Sequence, residues 1–360
     1  MTDTTPLYPL YTPSARTFAV TTPISENSDT PFSPSDIDAA YSLTTTPNDG
    51  KGITIAVIAA FGANNLKDDF TRFGEMFGLP PNNLEIYYSS GDGTPNPQTG
   101  WDLEAHADTE WVYACAPAAR IMCIFSADAR MESLFSAVSL AISLDVDIIS
   151  MSFGSEEFIS QRKYTDLMKN SGRIFVASAG DTGGKVLFPS SSDAVVSVGG
   201  TVLHRTRSGS VFARSAWING GGGISLYTPI PEWQEIFSGI EDLSGRYRAT
   251  PDVALNAATS PGYYVYSQND GGLVSVGGTS ISAPVFAGIC ARILQYNRGD
   301  LQGKTIMEYL YEKAGKTSYS EPQYYFSDVT VGSNGVYTAK RGYDLCTGLG
   351  APVGDMLIKG

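Results

Sequence analysis

Apolar runs and amphipathic stretches alternate along the chain from residue 53 to residue 180. The apolar runs are typical of buried strands, and the stretches between them carry apolar residues at helical spacing. Strands that alternate with helices predict an α/β fold whose parallel sheet has helices on both faces. The predicted strands are "ITIAVIAAF", "LEIYY", "RIMCIF", "VDIISMSF" and "RIFVASAG", and the predicted helices span residues 66–77, 103–115, 131–144 and 156–169.

Outside this region the pattern changes. Residues 1–50 are rich in Thr, Ser and Pro, with one short helix predicted near residues 35–41, so we expect an arm packed on the core. The segment 182–256 is rich in glycine, and we interpret it as loops of the kind that face a substrate. After it, an apolar strand around residues 273–276 leads into a helix, a second helix is predicted near residues 305–314, and a loop-rich tail follows.

The composition is that of an ordered, acidic globular protein. The 360 residues are 42% hydrophobic, and 24 Lys and Arg against 37 Asp and Glu give a formal net charge of −13. We predict one large domain, because there is no long linker or internal repeat, and we predict a monomer. The negative charge disfavours nucleic acid and anionic membranes as partners. No segment of the sequence reaches membrane-spanning length.

Four cysteines are too sparse for a disulfide framework and lack the C-x-x-C spacing of zinc sites. Buried thiols are expected, with one disulfide bond left as an alternative. The start "MTDTTPLYPLY" has no basic stretch followed by an apolar one, so any export signal or pro-segment is expected to be absent from this chain. The cysteines are Cys115, Cys123, Cys290 and Cys346.

A serine stands where an apolar strand pattern gives way to a helical one, within "GGLVSVGGTSISAPVFAGI". Glycines allow a sharp turn and a close approach to a ligand, and the N–H groups at a helix start favour negative charge. Ser280 is therefore a candidate nucleophile whose reaction would develop an oxyanion at the helix start. The alternative is that Thr279 or Ser280 only caps the helix.

The chain contains two histidines, and neither is well placed in the sequence to serve Ser280 as a general base. His204 lies in a predicted polar hairpin and is interpreted as a surface residue. His106 lies between two acidic residues, and helical geometry turns it roughly 160° to 200° away from each. Neither has a His-Gly-Thr setting, so the histidine mechanism that serine hydrolases usually use loses its main support.

Glu104 and Asp108 offer a different base. On a helix, residues four apart share a face, and their carboxyls come within hydrogen-bond reach. When such a pair is partly buried, one proton is shared between the two acids. Glu104 could then accept the proton of Ser280 while Asp108 orients and recharges it. The alternative is an incidental pair on a solvated helix face.

Taken together, these motifs resemble the serine-carboxyl peptidases, the sedolisin family, and more its kumamolisin branch than its tripeptidyl peptidase branch. The family's E-x-x-x-D motif matches Glu104 and Asp108, followed by Glu110 and "CAPAA". Its serine motif matches Ser280 in "GTSISAP", and its S-x-G-D-x-G segment matches Asp181 in "SAGDTGG". The similarity continues through "SMSFGSEE", "VSVGGT" and "TPDVALNA", so it spans nearly the whole chain.

The resemblance implies an acid-acting endopeptidase with a Ser-Glu-Asp triad. Ser280 would form an acyl-enzyme, with Glu104 as the base and Asp108 as its support. A protonated Asp181 would donate to the oxyanion. Because an ionised Asp181 would repel the oxyanion, activity should fall as pH rises through its pKa. Taken alone, an aspartate in such a glycine-bearing turn would only cap backbone amides.

The C-terminal tail gathers aspartates and glycines around tight turns. The carboxylates of Asp328 and Asp344, with turn carbonyls, are the hard oxygen ligands that Ca²⁺ prefers, although such residues are also common in ordinary turns. The resemblance implies a structural calcium ion held by these two carboxylates and by the carbonyls of Val329, Lys340 and Gly342. Members of the family often have glycine in place of Lys340.

For the whole chain, the resemblance implies a subtilisin-like fold, doubly wound around a mostly parallel sheet in a single domain. We divide the chain into an N-terminal arm at 1–50, predicted from its composition, and a catalytic domain at 51–360, with calcium-binding loops expected at about 326–350. Protein or peptide substrates, a pro-segment in the precursor, and secretion or another acidic compartment are expected with it. The alternatives are a non-catalytic calcium-dependent binding protein on this fold, a tripeptidyl exopeptidase and, further behind, a histidine-based subtilase.

Overall fold

The three-dimensional structure is a computed structural model. It describes residues 8–9, 12–17, 30–44, 47–90, 96–98, 100–205, 212–235, 237, 240, 245–297, 301, 303–315 and 325–360. Within these ranges, no helix is both long and apolar enough to cross a membrane.

Most of the strands are short, and the longest is β10. The described strands are β1 (Tyr8–Pro9), β2 (Thr12–Thr17), β3 (Thr54–Ala60), β4 (Leu84–Tyr88), β5 (Arg120–Ser126), β6 (Ile148–Met151), β7 (Phe153–Glu156), β8 (Ile174–Ser178), β9 (Leu187–Phe188), β10 (Val195–Arg205), β11 (Phe212–Ala216), β12 (Gly223–Pro229), β13 (Tyr247–Thr250), β14 (Val253–Asn256), β15 (Tyr263–Ser267), β16 (Gly272–Gly277), β17 (Phe326–Ser327) and β18 (Ala351–Pro352).

The central sheet contains eight of these strands. Its neighbours follow the order β11-β10-β8-β6-β3-β5-β4, and β14 pairs with β10. The pairings are parallel except the one between β10 and β11. From Ile55 to Ala60, β3 is at most 1% exposed, which explains its unbroken apolar run, because strands of a covered parallel sheet are buried on both faces. The predicted α/β fold with a mostly parallel sheet is confirmed.

The helices begin and end close to the predicted positions in most cases. Ser33 and Asp36 form a capping box at the start of the first helix, and Gly78 ends the second with a φ of 67°. The described helices are α1 (Pro34–Ala40), α2 (Leu66–Phe77), α3 (Trp101–Cys115), α4 (Met131–Ser143), α5 (Arg162–Ser171), α6 (Glu232–Glu235), α7 (Thr279–Tyr296), α8 (Ile306–Gly315) and α9 (Gly354–Lys359).

Two long helices cross the centre of the molecule next to each other. Helix α3 packs on β3 and β5, and α7 packs on β6, β8, β10 and β14. The two helices also contact each other. Helix α4 packs on β3 and β5 as well. Because α3 and α7 are adjacent, side chains on their facing sides come together above the central strands.

The strand predicted over "VDIISMSF" and the helix predicted at 156–169 were wrong in their bounds. The apolar run divides at Ser152 into β6 of the central sheet and β7, which pairs antiparallel with β9. The helix begins only at Arg162, after a 3₁₀ turn at Ile159–Gln161. Before the 3₁₀ turn, the Glu157 carboxylate accepts hydrogen bonds from the Ser225 hydroxyl and the Leu226 N–H.

The segment 182–256 is less loop-rich than predicted, because its described residues include six strands, β9 to β14. Glycines interrupt the apolar pattern of these strands and hide their periodicity. At Gly199 and Gly200 of β10, an added Cβ would lie 2.6 Å from Pro251 and 2.8 Å from Trp217. Close packing, and not a loop, therefore explains these two glycines.

The N-terminal region makes two short strand pairings. Strand β1 pairs antiparallel with β7 at Phe153 and Gly154, and β2 pairs antiparallel with β16. The helix predicted near residues 35–41 is present as α1. Much of the predicted arm at 1–50 lies outside the described residues, so its packing on the core stays a prediction.

Candidate active site

Helix α3 is buried on all sides, which separates it from an ordinary amphipathic surface helix. Glu104 is 1% exposed, and Asp108 and Glu110 are fully buried. The E-x-x-x-D pair therefore does not lie on a solvated face, contrary to the alternative raised from the sequence. Buried carboxyls are costly unless they are neutral, paired or hydrogen-bonded, so their presence here calls for a specific role.

The candidate nucleophile lies at the start of α7. Strand β16 ends at Gly277, Gly278 has a φ of 119°, and Ser280 is the second residue of the helix. A Cβ at Gly277 would lie 2.6 Å from the carbonyl oxygen of Ala258, so only glycine fits this turn. The prediction that Ser280 stands at a helix start is confirmed, although β16 belongs to a small antiparallel sheet with β15 and β2 and not to the central sheet.

Ser152 connects the two helices. Its hydroxyl lies 2.8 Å from Oδ1 of Asp108 and 3.0 Å from the backbone carbonyl oxygen of Ser280. Oδ2 of Asp108 is buried and has no hydrogen-bond partner within the described part of the chain. Burial raises the pKa of Asp108 well above its usual range, and the Ser152 hydroxyl lowers it in part.

The carboxyl of Glu104 lies close to Asp108, Ser152 and Ser280. Burial raises its pKa well above the usual range, and the neighbouring Asp108 carboxyl raises it further. The hydroxyls of Ser280 and Ser152 lie close enough to lower it in part. Neither oxygen of Glu104 forms a hydrogen bond of good geometry with any described residue. Catalytic hydrogen bonds are often long before substrate binds, and the Ser280 hydroxyl is already near enough to Glu104 to act on its pKa.

Asp181 binds Thr279, the residue before Ser280. It follows β8, and its Oδ1 accepts hydrogen bonds from the N–H and the hydroxyl of Thr279, at 2.9 Å and 2.7 Å. The Gly180 N–H donates in turn to the Thr279 hydroxyl at 3.0 Å. Oδ2 is shielded from solvent and has no partner among the described residues. Burial raises the pKa of Asp181 to about 7, so in acid solution the carboxyl is neutral.

The structure thus brings together Ser280, Glu104, Asp108 and Asp181, the four residues singled out from the sequence. Two further residues hold them in place and were missed as site residues. Thr279 orients Asp181. Its position directly before Ser280 in the G-T-S motif was the signal that could have found it. Ser152 binds Asp108, and its place at a predicted strand end, where ligands gather in parallel sheets, was the signal for it.

The two histidines lie elsewhere. His106 is fully buried, with Nε2 3.0 Å from Oδ2 of Asp69 and Nδ1 2.8 Å from the carbonyl oxygen of Asp102. It therefore points toward α2 and away from Ser280, as its helical position predicts. His204 is exposed in the antiparallel pairing of β10 and β11, close to Ser215, which confirms the predicted surface hairpin.

The cysteines are not part of the site. All four are buried and form no disulfide bond. Burial raises the pKa of each of their thiols, so the thiolate form is disfavoured. The single disulfide bond that the sequence left open is not formed in this structure.

The two tail aspartates are held against one loop. Oδ2 of Asp344 accepts the N–H of Lys340 at 2.9 Å, and Oδ2 of Asp328 accepts the N–H of Gly342 at 2.9 Å. Oδ1 of Asp328 is buried and unpartnered within the described residues. Lys340 does not have a positive φ, whereas Gly342 has a φ of 78°, so the lysine is accommodated there without backbone strain.

These loops do not form a cluster of acidic side chains. Among the described residues, no group of three or more His, Cys, Asp or Glu side chains is arranged to hold a metal ion. The predicted calcium ligands comprise two carboxylates and three backbone carbonyls, so they would not form such a cluster. The unpartnered buried carboxylate oxygen of Asp328 fits a hard cation in its chemistry.

Comparison with known proteins places the chain in a family. The sequence model described as "Subtilase family" matches residues 28–337. The chain belongs to the subtilase family. Kumamolisin from Bacillus sp. (strain MN-32) is 32% identical over 372 residues, which cover 92% of this chain and 63% of kumamolisin. Tripeptidyl-peptidase 1 from Dictyostelium discoideum is 26% identical over 325 residues, which cover 81% of this chain and 52% of the relative.

A solved structure extends this comparison to the fold. Pseudomonas sedolisin, a serine-carboxyl proteinase complexed with two molecules of pseudo-iodotyrostatin, matches with a TM-score of 0.81 and 25% identity, covering 92% of this chain and 98% of that chain. The resemblance to sedolisin and kumamolisin predicted from the motifs is confirmed. This subtilase-family chain spans 63% of the length of kumamolisin, so the activity of the whole relative remains a proposal here.

Proposed function

We propose that the chain is an acid-acting serine-carboxyl endopeptidase. The observation that carries the proposal is the convergence of a helix-start serine with three acids of raised pKa, Glu104, Asp108 and Asp181. Perturbed acids gathered around a nucleophile are typical of catalytic sites. A non-catalytic binding protein would have no need to keep three costly carboxyls around one hydroxyl.

The reaction begins at Ser280. Its hydroxyl oxygen attacks the peptide carbonyl carbon, and the hydroxyl proton passes to Glu104 as the new C–O bond forms. Asp108 shares a proton with Glu104 and stabilises the change of charge on it. Glu104 then gives the proton to the leaving amine when the C–N bond breaks, which leaves an acyl-enzyme. Water, activated by the same base, hydrolyses the acyl-enzyme.

The oxyanion of the tetrahedral intermediate is stabilised by Asp181. Because Oδ1 already accepts two hydrogen bonds from Thr279, the proton of the neutral acid belongs on Oδ2. That proton is the donor toward the oxyanion. The N–H of Ser280, in the first turn of α7, supplies a second donor of the kind that helix starts provide.

The pH dependence of hydrolysis tests this function. We expect cleavage of a denatured protein at about pH 4, where carboxyl groups titrate. Since the pKa of Asp181 is raised to about 7, the acid donates below that pH and is lost as a donor above it, so kcat/KM should fall as pH rises through about 7. Asp181→Asn keeps an uncharged donor and should remove this fall, whereas Asp181→Ala should lose about 10²–10³-fold at acid pH.

The products decide between the two kinds of peptidase. Internal cleavage positions, determined by mass spectrometry, would support the endopeptidase, and successive release of tripeptides would replace it by the exopeptidase known among the relatives. No hydrolysis at any acid pH would reject both and favour the calcium-dependent binding protein. An unchanged fall near pH 7 in Asp181→Asn would reject Asp181 as the oxyanion donor.

We propose further that the tail loops hold a structural calcium ion. Asp328 and Asp344 would supply carboxylate oxygens, and Val329, Lys340 and Gly342 would supply carbonyls. Two observations support this donor set. Oδ1 of Asp328 is buried without a partner among the described residues, and both carboxylates bind one loop. The ion would cross-link the loops, and it takes no part in the reaction.

Removal of calcium should lower the thermal stability of the protein. A ligand that binds only the folded state stabilises it by mass action, so we expect a chelator to reduce the melting temperature by about 5 °C or more. Calorimetry with and without chelator measures this shift. Asp328→Asn keeps the bond to the Gly342 N–H but removes a charge, so this variant should respond weakly to the chelator. A wild-type melting temperature that does not change on chelation would contradict the calcium proposal.

We propose the compartment and partners on the same grounds. An oxyanion donor with a pKa near 7 works best in acid, so a secreted protein or another acidic compartment suits this site. Protein or peptide chains are the proposed substrates, and the protein is proposed to act as a monomer. Nucleic acid and anionic membranes remain disfavoured as partners by the net charge of −13.

A further inference from the structure

We propose that Ser152 is a positioning residue of this site. Its hydroxyl holds Oδ1 of Asp108, which leaves Oδ2 for the proton shared with Glu104, and it ties α3 to the first turn of α7. The inference rests on the proposed function and extends it to the residue that sets the geometry of the acid pair. Ser152 itself neither contacts the substrate carbonyl nor transfers a proton.

The position of Ser152 suits this role. It is 1% exposed and lies at the break between β6 and β7, where the chain leaves the central sheet. A single hydroxyl there contacts both helices, at 2.8 Å to Asp108 and 3.0 Å to the Ser280 carbonyl. A movement of either helix would therefore disturb the bond to the other.

A proline in α7 removes the usual helical donor to the Ser280 carbonyl. In an α-helix, the carbonyl of residue i accepts the N–H of residue i+4. The residue four positions after Ser280 is Pro284, which lies inside α7 and has no N–H to donate. Ser152 thus supplies a donor in place of the missing i+4 N–H, and its hydroxyl contacts both this carbonyl and Asp108.

The contact also determines which oxygen of Asp108 carries a proton. Because Oδ1 accepts from Ser152, the proton of the neutral acid belongs on Oδ2, which is buried and without a partner among the described residues. Thr279 holds Oδ1 of Asp181 in the same way. Asp181, from the turn after β8, raises the pKa of Glu104 further, and Asp108 in turn raises the pKa of the buried Cys123 thiol in β5.

Ser152→Ala tests the inference through the pH profile of hydrolysis. We expect kcat to fall about tenfold with KM changed less than about twofold. Because a donor to the ionised pair is removed, the acidic limb of the kcat profile should move to higher pH by about half a unit to one unit. A merely structural role would lower activity without moving this limb.

Ser150→Ala is the matched control. Ser150 is a fully buried serine of β6, and its hydroxyl has no hydrogen-bond partner among the described residues. Its loss should leave the acidic limb unchanged. An unmoved limb in Ser152→Ala, or an equal shift in both variants, would overturn the inference while leaving the proposed function intact.

A second measurement does not depend on activity. Hydrogen bonds to ionised carboxylates are stronger than those to neutral ones, so Ser152→Ala should destabilise the fold more at about pH 8 than at about pH 4. The loss of folding free energy caused by Ser150→Ala should be equal at the two pH values. Denaturant unfolding measures both differences. If wild type proves inactive, the proposed function fails, and this measurement alone still decides whether Ser152 holds the acid pair.

Discussion

Replacement of Ser280 by alanine is expected to reduce hydrolysis by about 10⁴-fold or more at about pH 4. The substitution removes the oxygen that forms the covalent bond, while the oxyanion donors and the acid pair stay in place. Any residual rate would come from those donors acting on a bound water. Single-turnover assays on a peptide identified from the cleavage map would measure the loss, and mass spectrometry would look for the acyl-enzyme.

Ser282→Ala provides the control on the same helix. Ser282 is fully buried two residues later, and its hydroxyl donates to the carbonyl of Asn256 at 2.8 Å. Its loss should cost about 1 kcal/mol of stability with hydrolysis reduced only a few-fold. Both variants should keep the circular dichroism spectrum of the wild type. Turnover by Ser280→Ala at a rate near that of Ser282→Ala would show that another group is the nucleophile.

The fold could be predicted from the sequence wherever burial is uniform. Strand β3 is covered on both faces and reads as an unbroken apolar run, and α2 was placed at its observed bounds because only one of its faces is buried. The prediction failed where one apolar run contains strands of two different sheets. "VDIISMSF" contains β6 and β7, and the division at Ser152 depends on tertiary contacts that a local pattern does not record.

The sequence predicted which residues form the candidate site, but not how the buried helices bring them together. Helical spacing indicated that Glu104 and Asp108 are neighbours, and the glycines before Ser280 indicated a helix start. Neither pattern reveals that α3 is buried on all sides, which is what raises the pKa of both acids. The role inferred for Ser152 was also hidden, because it depends on a bond to a carbonyl that Pro284 cannot serve.

Glu104→Gln is expected to lower kcat/KM by about 10³–10⁴-fold, since a neutral amide cannot accept the proton of Ser280. The side chain keeps its shape, so substrate binding should change little and the loss should fall on kcat. The residual reaction should also lack the acidic limb of the pH profile, because no base has to ionise. Burst kinetics would measure acylation and deacylation separately, and both should be slow.

The decisive comparison is with Glu110→Gln on the same helix. Glu110 is also fully buried with a pKa raised by burial, and its Oε2 accepts the N–H of Tyr266 at 2.9 Å. Glutamine keeps that acceptor and resembles the neutral acid, so this variant should stay within a few-fold of wild type. If the two variants lost activity equally, loss of a buried carboxyl in general would explain the effect. Normal acylation by Glu104→Gln would exclude Glu104 as the base, because proton transfer from Ser280 must precede or accompany attack.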